Sequence, residues 1–430
     1  MPSQRVLVIG GGIIGAASAH YLAEAGCEVT IVERSKFASG CSHGNCGYIS
    51  PSHVLPLHGP GVVTKTMRGM LLPNSPFSIK PQFNPAFVSW MWNFTRNCNV
   101  DSQLASADRM VPLLKSTDAL YEDLFTNKGL EAEYKKKGCL FIFQSPEGME
   151  YYAKTNKLLI DRYDVPATRY DGDALVKLEP ALKPGVAAGG WHYEMDAHVR
   201  PDILMKSWRK ILEAKGVKII EDCEVKSFDV QNGKARAVKT TQGDIPADAF
   251  VTATGSWTPF FNKLLGTAVP IQPGKGYSLT MQRPAVCPEI PMIFQEHKVA
   301  ITPMTTGYRI GSTMEFAGYD DRINQKRLGL LKTAAHLFLK DPYTTPIEQE
   351  WFGWRPMTYD NLPIIDQAPK MNNVWIAAGH NMVGLTLGPV TGKLISEAIT
   401  GKPTHIDITP YRLKRFKTKQ KPLTPYVATT

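Results

Sequence analysis

The sequence predicts an α/β protein of two domains, and three observations support this prediction. A short apolar strand at Arg5–Ile9 is followed by a glycine-rich turn, a helix at 13–25 and a second strand at 28–33. Short, β-branched apolar runs of this kind are typical of buried parallel strands. Further strand and helix patterns occur at 199–254 and 374–399. With 430 residues, 43% of them hydrophobic, the chain is long enough to bury two cores.

The turn after the first strand has a spacing that suits a bound dinucleotide. Residues 10–15 read GGGIIG, in which Gly10 allows a tight turn from strand to helix. Gly12 lets a pyrophosphate approach the helix N-terminus, and Gly15 lets the helix pack closely on the strand. Glu33 ends the second strand 18 residues after Gly15, where a carboxylate can bind ribose hydroxyls. Together these features predict a Rossmann-like βαβ unit, and the acidic residue disfavours NADP.

Two later segments favour FAD over NAD. A strand ends at 253–257 (ATGSW), where small residues let the chain pass close to a nucleotide. The run at 378–388 (AGHNMVGLTLG) opens a helix, and a helix N-terminus can stabilise negative charge. A reduced flavin carries such a charge at its N1–C2=O edge.

The nucleotide-binding patterns occur at both ends and in the middle of the chain, so the two domains are predicted to be discontinuous. The FAD-binding domain is assigned to 1–95, 196–275 and 351–430. A substrate-binding α+β domain with a mixed or antiparallel sheet is assigned to 96–195 and 276–350. The segment 37–85, rich in Gly, Pro, Ser and His, reads as too irregular for core elements and is expected to line a site.

The formal charge of +10 does not by itself indicate a nucleic-acid partner. Nucleic acid is not expected as a partner, because the basic residues are not arranged around aromatic residues on a recognisable module. The clearest basic cluster is read as a solvated tail, with a weak peripheral contact with an anionic membrane surface as the alternative. This cluster comprises Arg412, Lys414, Arg415, Lys417, Lys419 and Lys421.

The seven cysteines and the lack of a membrane span predict a cytoplasmic protein, with the inner membrane face as the alternative location. An odd number of cysteines without a C-x-x-C motif argues for a reducing compartment. Cys41, His43 and Cys46 lie close in sequence, but a fourth zinc ligand is missing, so no metal site is expected. The apolar stretch 6–22 lacks the basic region and cleavage site of a signal peptide.

Six segments spread over nearly the whole chain carry a resemblance to a known family. They are RVLVIGGGIIGAASAHYLAEAGCEVTIVER (5–34), CSHGNCGYISPS (41–52), GKGYSL (274–279), WFGWRPMTYDNLPIID (351–366), GHNMVGLTLGPVTGKLI (379–395) and ITPYRLKRF (408–416). The chain resembles the FAD-dependent D-amino-acid oxidase superfamily, and most of all its bacterial D-amino-acid dehydrogenase small subunits and D-hydroxyproline dehydrogenases. The resemblance implies FAD as the cofactor and an amine or amino acid as the substrate.

The resemblance adds positions to the FAD site that the glycine turn predicts. It implies that a loop resembling S-x-x-N-x-G lines the flavin, that Val225 contacts the adenosine side, and that the turn at 384–386 caps the flavin O2 edge. His43 departs from the aromatic residue expected in that loop. The complete set of expected FAD-binding residues is Gly10, Gly12, Ile14, Gly15, Glu33, Arg34, Ser42, Gly44, Asn45, Gly47, Val225, Gly255, Gly384, Leu385 and Thr386.

Arg355 is the main candidate for binding substrate. It lies in a G-x-R-P motif whose arginine, in the resembled superfamily, holds the substrate carboxylate, and a guanidinium forms a planar bidentate pair with a carboxylate. The alternative is a structural ion pair. Tyr277 is expected to supply a second hydrogen bond, unless it is a half-buried strand residue. Tyr48 and Ser50 are weaker candidates, and His380 is expected to shape the pocket or accept a proton, unless it is a turn residue.

The implied reaction is oxidation of a D-amino acid, including a cyclic D-imino acid such as hydroxyproline or proline. Hydride leaves the α-carbon for flavin N5, and the resulting imine is hydrolysed to a 2-oxo acid and ammonia. The electron acceptor is expected to be a quinone, another redox protein or oxygen. Two other functions remain open: a glycine or sarcosine-type oxidase that uses oxygen, and a non-catalytic flavoprotein that serves as an assembly factor.

Overall fold

The structure is a computed structural model that describes residues 3–70, 75–82 and 84–416. The strands, numbered in chain order, are β1 (Arg5–Ile9), β2 (Glu28–Val32), β3 (Tyr48–Ile49), β4 (Phe77–Ile79), β5 (Cys139–Phe143), β6 (Thr168–Asp171), β7 (Gly189–Tyr193), β8 (Ala197–His198), β9 (Lys218–Ile220), β10 (Val225–Gln231), β11 (Lys234–Thr240), β12 (Gly243–Pro246), β13 (Ala249–Thr252), β14 (Ile271–Met281), β15 (Met292–Phe294), β16 (Val299–Pro303), β17 (Tyr308–Phe316), β18 (Gln349–Thr358), β19 (Ile364–Ala368) and β20 (Met371–Ala378). The α-helices are α1 (Ile13–Glu24), α2 (Val62–Met70), α3 (Pro85–Asn97), α4 (Val100–Thr126), α5 (Pro146–Tyr163), α6 (Gly172–Leu178), α7 (Pro201–Ala214), α8 (Asn262–Leu265), α9 (Gln325–Phe338) and α10 (Gly384–Ile399). Short 3₁₀ helices occupy Gly255–Phe261, Thr409–Tyr411 and Leu413–Arg415.

The first sheet has six strands in the order β19-β20-β13-β1-β2-β9. All neighbouring pairs are parallel except β19 and β20, which are antiparallel. The predicted unit of strand, helix and strand is confirmed as β1, α1 and β2. Because the carboxyl ends of β1, β2 and β13 share one edge, the turns that follow them lie side by side.

The second sheet has nine strands and is mixed. Its order is β18-β14-β17-β16-β15-β5-β7-β6, with β4 paired in parallel to β17. Most of its pairs are antiparallel, while β15 and β5 are parallel. The predicted fold class, a Rossmann-like unit with a second mixed or antiparallel sheet, is therefore confirmed.

Apolar residues cover both faces of the first sheet. On one face, Val8 and Ile31 are fully buried in a core that includes the helices α1, α4, α7 and α10. On the other face, Leu7 and Phe250 are buried in a core that includes the antiparallel ribbon β10-β11-β12. A third core packs the second sheet against α9. Such two-sided burial explains why the strands read as continuous apolar runs rather than alternating ones.

The sheets divide the chain near the predicted domain boundaries, with three differences, the first being that β4 of the segment 1–95 lies in the second sheet. Strand β18 lies in the second sheet, although residues from 351 onwards were assigned to the FAD-binding domain. Strand β14 begins at Ile271, a few residues before the predicted start of the substrate-binding part at 276. The division into an FAD-binding and a substrate-binding domain stays a prediction.

The segment 37–85 is more ordered than its composition suggested. It contains β3, α2 and β4, and β4 joins the second sheet, so the expectation of no core elements was wrong in this respect. These elements are two to nine residues long, and contacts from distant parts of the chain determine them. Strand β3 pairs with β8, and β4 pairs with the end of β17.

The basic cluster near the C-terminus contributes to the fold in part. Arg415 donates to Asp360 at 2.6 Å and to the carbonyl of Leu362 at 2.9 Å, so its charge is used within the protein. Lys417, Lys419 and Lys421 lie outside the described residues. In the part of the chain that is described, no helix is both long and apolar enough to cross a membrane.

Candidate active site

A large cavity of about 2600 Å³ extends along the edge of the first sheet and across one face of the second. Cavities that bind small molecules usually measure roughly 300–1000 Å³, so this one has room for a dinucleotide together with a substrate. Its walls include the glycine turn at 10–15, the loop at 41–48, the first turn of α10, and residues of β14, β16 and β18. It therefore brings together most of the segments singled out in the sequence.

The glycine turn adopts the close-packed geometry that its spacing predicts. A side chain at Gly15 would place its Cβ only 1.9 Å from the carbonyl oxygen of Gly10, so the helix start can approach the strand only with glycine there. Gly12 caps α1, and the next amide, that of Ile13, donates to Ser42 Oγ at 2.9 Å. The N-terminus of α1 thus opens into the cavity beside Ser42 and Ile14, where it can stabilise a pyrophosphate.

The end of β2 lies at one end of the cavity, where the sequence predicts the adenosine of FAD. The Glu33 carboxylate accepts hydrogen bonds from the amide of Gly11 at 2.8 Å and the amide of Ser35 at 3.0 Å, which fixes its orientation. The guanidinium of Arg34 lies 3.5 Å from the centre of the Trp257 ring, and both residues line the cavity. Val225 and Gly255 complete this wall. The carboxylate suits ribose hydroxyls, and the stacked pair gives a flat surface for a base.

The loop after residue 40 is held by its own side chains. Asn45 accepts from the amide of Gly47 at 2.7 Å and donates to the carbonyls of Cys41 and Ser42 at 3.4 Å. Ser278 donates from its hydroxyl to the carbonyl of Gly44 at 2.8 Å, which ties the loop to β14. These contacts turn the loop toward the cavity, as expected for residues that line a flavin.

The first turn of α10 forms the opposite end of the site. Thr386 Oγ1 accepts from the amide of Ser50 and donates to the carbonyl of Tyr48, both at 3.2 Å. Thr117 donates to the carbonyl of Thr386 at 3.0 Å, and Tyr121 donates to the carbonyl of Leu385 at 2.6 Å. The amides of this turn, from Gly384 onward, point away from the helix and can stabilise negative charge.

Thr117 and Tyr121 are supporting residues that the sequence reasoning missed. Both lie on α4 and are fully buried, and in the sequence they look like ordinary core positions of an amphipathic helix. No local pattern marks them, because their partners are more than 260 residues away. They fix the turn that the FAD prediction depends on.

Arg355 lies on β18, with its guanidinium in the cavity wall. Its Nη1 donates to the carbonyl of Thr313 at 3.0 Å, and a Cβ at Gly276 would lie 2.3 Å from the same nitrogen. Burial lowers its pKa below the ordinary 12.5, with the nearby thiols of Cys41 and Cys46 as the opposing influence. Among the described residues, no carboxylate forms an ion pair with this guanidinium. The alternative of a structural ion pair therefore finds no partner, and a group that remains charged faces the cavity.

Tyr277 and Tyr48 use their hydroxyl groups elsewhere. Tyr277 is 1% exposed and donates to the carboxylate of Glu315 at 2.5 Å, so its proton is not free for a substrate. The hydroxyl of Tyr48 lies 2.9 Å from the carbonyl of Met292 and 2.8 Å from that of Ile301. The geometry therefore does not support the predicted contact of Tyr277 with a substrate carboxylate. Both rings still contribute to the cavity wall.

His380 is buried beside the first turn of α10. Its Nε2 lies 3.0 Å from Thr391 Oγ1, and burial lowers its pKa to about 3. The ring is therefore neutral near pH 7, and protonation would be costly. This favours the predicted role in shaping the pocket over the predicted role in accepting a proton.

Asp196 is a buried acid that supports the loop carrying the predicted candidate Ser50. Asp196 accepts from the amide of Ser52 at 3.1 Å and from its hydroxyl at 2.7 Å. Burial raises the pKa of Asp196 to about 7, although the hydrogen bonds from Ser52 and Ser50 oppose that rise. Ser50 and Ser52 line the cavity, whereas Asp196 itself supports the loop from behind.

The Rossmann-type turn, the two helix N-termini and the long cavity define a dinucleotide-dependent oxidoreductase. Residues 5–398 match the DAO family of FAD dependent oxidoreductases, and the chain belongs to this family. The match confirms the family and the cofactor, FAD, that the sequence predicted. The residues present fit FAD, since the adenosine end, the pyrophosphate turn and the flavin-capping helix line one continuous cavity.

Curated relatives match nearly the whole length of this chain. A D-amino acid dehydrogenase from Granulibacter bethesdensis is 30% identical over 417 residues, which cover 96% of this chain and 99% of that protein. A D-amino acid dehydrogenase from Methylobacterium radiotolerans is 31% identical over 422 residues, with coverage of 96% and 99%. The solved structure of glycine oxidase from Geobacillus kaustophilus superposes with a TM-score of 0.78 at 22% identity, covering 97% of this chain and 100% of that one. The glycine oxidase similarity establishes the fold alone.

Proposed function

We propose that this protein is an FAD-dependent D-amino-acid dehydrogenase. The observation that carries the proposal is Arg355, whose partly buried guanidinium faces the cavity and has no carboxylate partner among the described residues. Leaving such a charge unpaired is costly, so a substrate carboxylate is the natural partner. The names of the full-length relatives, D-amino acid dehydrogenase, support a D-amino acid as the substrate.

Each wall of the cavity has a distinct task in this proposal. Arg355 holds the substrate carboxylate through two parallel hydrogen bonds and thereby directs the α-carbon toward the flavin. A bound FAD would supply the acceptor for the α-carbon hydride, and water would hydrolyse the resulting imine to a 2-oxo acid and ammonia. The first turn of α10, fixed by Thr117 and Tyr121, stabilises the negative charge that develops at this end of the site.

Cyclic D-imino acids such as D-proline or D-hydroxyproline are candidates within the same class, since they carry the carboxylate that Arg355 would bind. A quinone, another redox protein or oxygen would take the electrons from the reduced enzyme. His380, whose pKa burial lowers to about 3, adds no charge to this pocket.

Anaerobic reduction of the purified flavoprotein tests the proposal. D-amino acids, L-amino acids and N-methyl glycine are added in turn, and loss of the oxidised flavin absorbance is followed. Reduction by D-amino acids is the expected result, whereas reduction by none of them would support the non-catalytic flavoprotein. Re-oxidation by a quinone analogue but not by oxygen would identify a dehydrogenase, and fast re-oxidation by oxygen would identify an oxidase.

A further inference from the structure

A second cation, Lys298, lies on the same cavity wall as Arg355. Lys298 stands at the turn between β15 and β16, and its Nζ donates to Gln295 Oε1 at 3.0 Å. Lys298 itself has a positive φ of 52°, and the cross-strand pair of Ile293 and Ala300 lies further along the same hairpin. All four side chains line the cavity, so this face of the second sheet forms part of its wall.

One residue connects Lys298 with Arg355. The amide of Thr313 donates to the carbonyl of Lys298 at 3.2 Å, and the carbonyl of Thr313 accepts from Arg355 Nη1 at 3.0 Å. Thr313 and its neighbour Ser312 have positive φ angles of 53° and 99°, at an irregularity in the pairing of β14 with β17. The Lys298 backbone and the Arg355 guanidinium therefore both contact Thr313, although β16 and β18 are separated in the sheet by β17 and β14. Strained backbone of this kind tends to occur at functional sites.

The cavity wall between the two cations has an unused hydrogen-bonding group. The Thr313 hydroxyl is buried and has no hydrogen-bond partner among the described residues, and the Thr313 side chain lines the cavity. A buried hydroxyl without a partner is uncommon and suggests a bound molecule that would satisfy it.

Lys298 has no acidic partner of its own. In the described part of the chain its ammonium makes one hydrogen bond, to Gln295, although an ammonium has three donors. The nearest acid, Glu296, already accepts from the amides of Gln144 and Ser145. Burial among protein atoms and the charge of Lys65 lower the pKa of Lys298 to about 8, while its side chain still reaches the open space of the cavity. A bound anion would remove this electrostatic cost.

We infer that Lys298 forms a second anion-binding subsite, which selects D-amino acids with a carboxylate side chain, such as D-glutamate. The inference rests on the proposed function. Arg355 holds the α-carboxylate, Lys298 and Gln295 hold the side-chain carboxylate, and the Thr313 hydroxyl donates to the substrate between them. A dicarboxylic amino acid carries one carboxylate at each end, so a single molecule can offer an anion to each cation.

A comparison of D-glutamate with D-glutamine tests the subsite, since the two differ in charge and hardly in shape. The ratio of their kcat/KM values is measured with an artificial electron acceptor for the wild-type holoenzyme, Lys298→Met and Lys65→Met. The wild type should prefer D-glutamate, and Lys298→Met should lower the ratio by about 10- to 100-fold, the effect of one hydrogen bond to a charged group. Lys65 is an exposed lysine of α2 that also lines the cavity, so Lys65→Met controls for general attraction of anions and should leave the ratio within twofold.

Each contrary outcome has a definite meaning. A wild-type enzyme without preference for D-glutamate would overturn the inference, and so would equal losses on both substrates in Lys298→Met. Equal losses would mean that Lys298 contacts the α-carboxylate or stabilises the fold. Failure of every D-amino acid to reduce the flavin would instead overturn the proposed function. Charge reversal in Lys298→Glu should shift the preference toward D-lysine, which a purely structural lysine would not do.

Discussion

Replacing Arg355 with methionine should remove most of the discrimination for a substrate carboxylate. The variant keeps a side chain of similar length but loses the guanidinium that faces the cavity, and it leaves the Thr313 carbonyl without its donor. Removing one partner of a buried charge pair costs about 2–5 kcal/mol, which corresponds to roughly 30- to 5000-fold in kcat/KM. The loss should appear with D-alanine but hardly with D-alaninamide, which has no carboxylate.

The assay is steady-state reduction of an artificial acceptor by the two substrates. The ratio of kcat/KM for D-alanine to that for D-alaninamide should fall at least thirtyfold in Arg355→Met. FAD content and melting temperature control for a folding defect, and Arg355→Lys should give an intermediate ratio because it keeps a charge without the planar pair of donors. Equal losses on both substrates, with FAD bound normally, would refute the assignment of Arg355 to the carboxylate.

Three further substitutions test the packing and electrostatics around the site. Tyr277→Phe removes the hydrogen bond from Tyr277 to Glu315, so the free energy of unfolding should fall by about 1–3 kcal/mol in denaturant titrations. The KM should change less than twofold, and a large KM effect would restore Tyr277 as a substrate ligand. In the folded protein the pKa of Asp196 is about 7, against an ordinary 3.8. Ionising this buried carboxyl therefore lowers wild-type stability by an amount that is absent below pH 4 and grows to roughly 4 kcal/mol above pH 7. Asp196→Asn should therefore gain stability over wild type at pH 8 but not at pH 4, and a gain independent of pH would contradict the raised pKa. Gly15→Ala places a Cβ against the Gly10 carbonyl, so the variant should lose about 1–3 kcal/mol or more of stability. The purified variant should also show a lower ratio of flavin to protein absorbance. Full FAD loading would contradict the close packing.

The parts of the fold that the sequence predicted correctly are those set by local patterns. The strand, helix and strand at the N-terminus were placed to within one residue at each end, because apolar periodicity and glycine spacing both lie within thirty residues. The hairpin at Asn232 and Gly233, which joins β10 to β11, is likewise set by a local Asn-Gly turn signal. Arg355 could be singled out because its neighbours in sequence, a glycine and a proline, form a recognisable motif.

The parts that the sequence did not predict depend on contacts between distant segments. The hydroxyl of Tyr277 is occupied by Glu315, a residue of the neighbouring strand that no spacing rule connects to it. Lys298 looks like an ordinary turn lysine until the pairing of β16 with β17 brings it beside Thr313 and Arg355. Similarly, the pairing of Arg415 with Asp360 could not be inferred from the basic cluster in which Arg415 occurs.

The most direct test of the central claim is anaerobic reduction of the bound FAD by paired enantiomers. Stoichiometric D-alanine and D-glutamate should each remove the oxidised flavin absorbance and yield the matching 2-oxo acid and ammonia. Their L-enantiomers should leave the spectrum unchanged on the same timescale. Reduction by the L-enantiomers alone, or by no amino acid in a protein that has bound its full complement of FAD, would contradict the account.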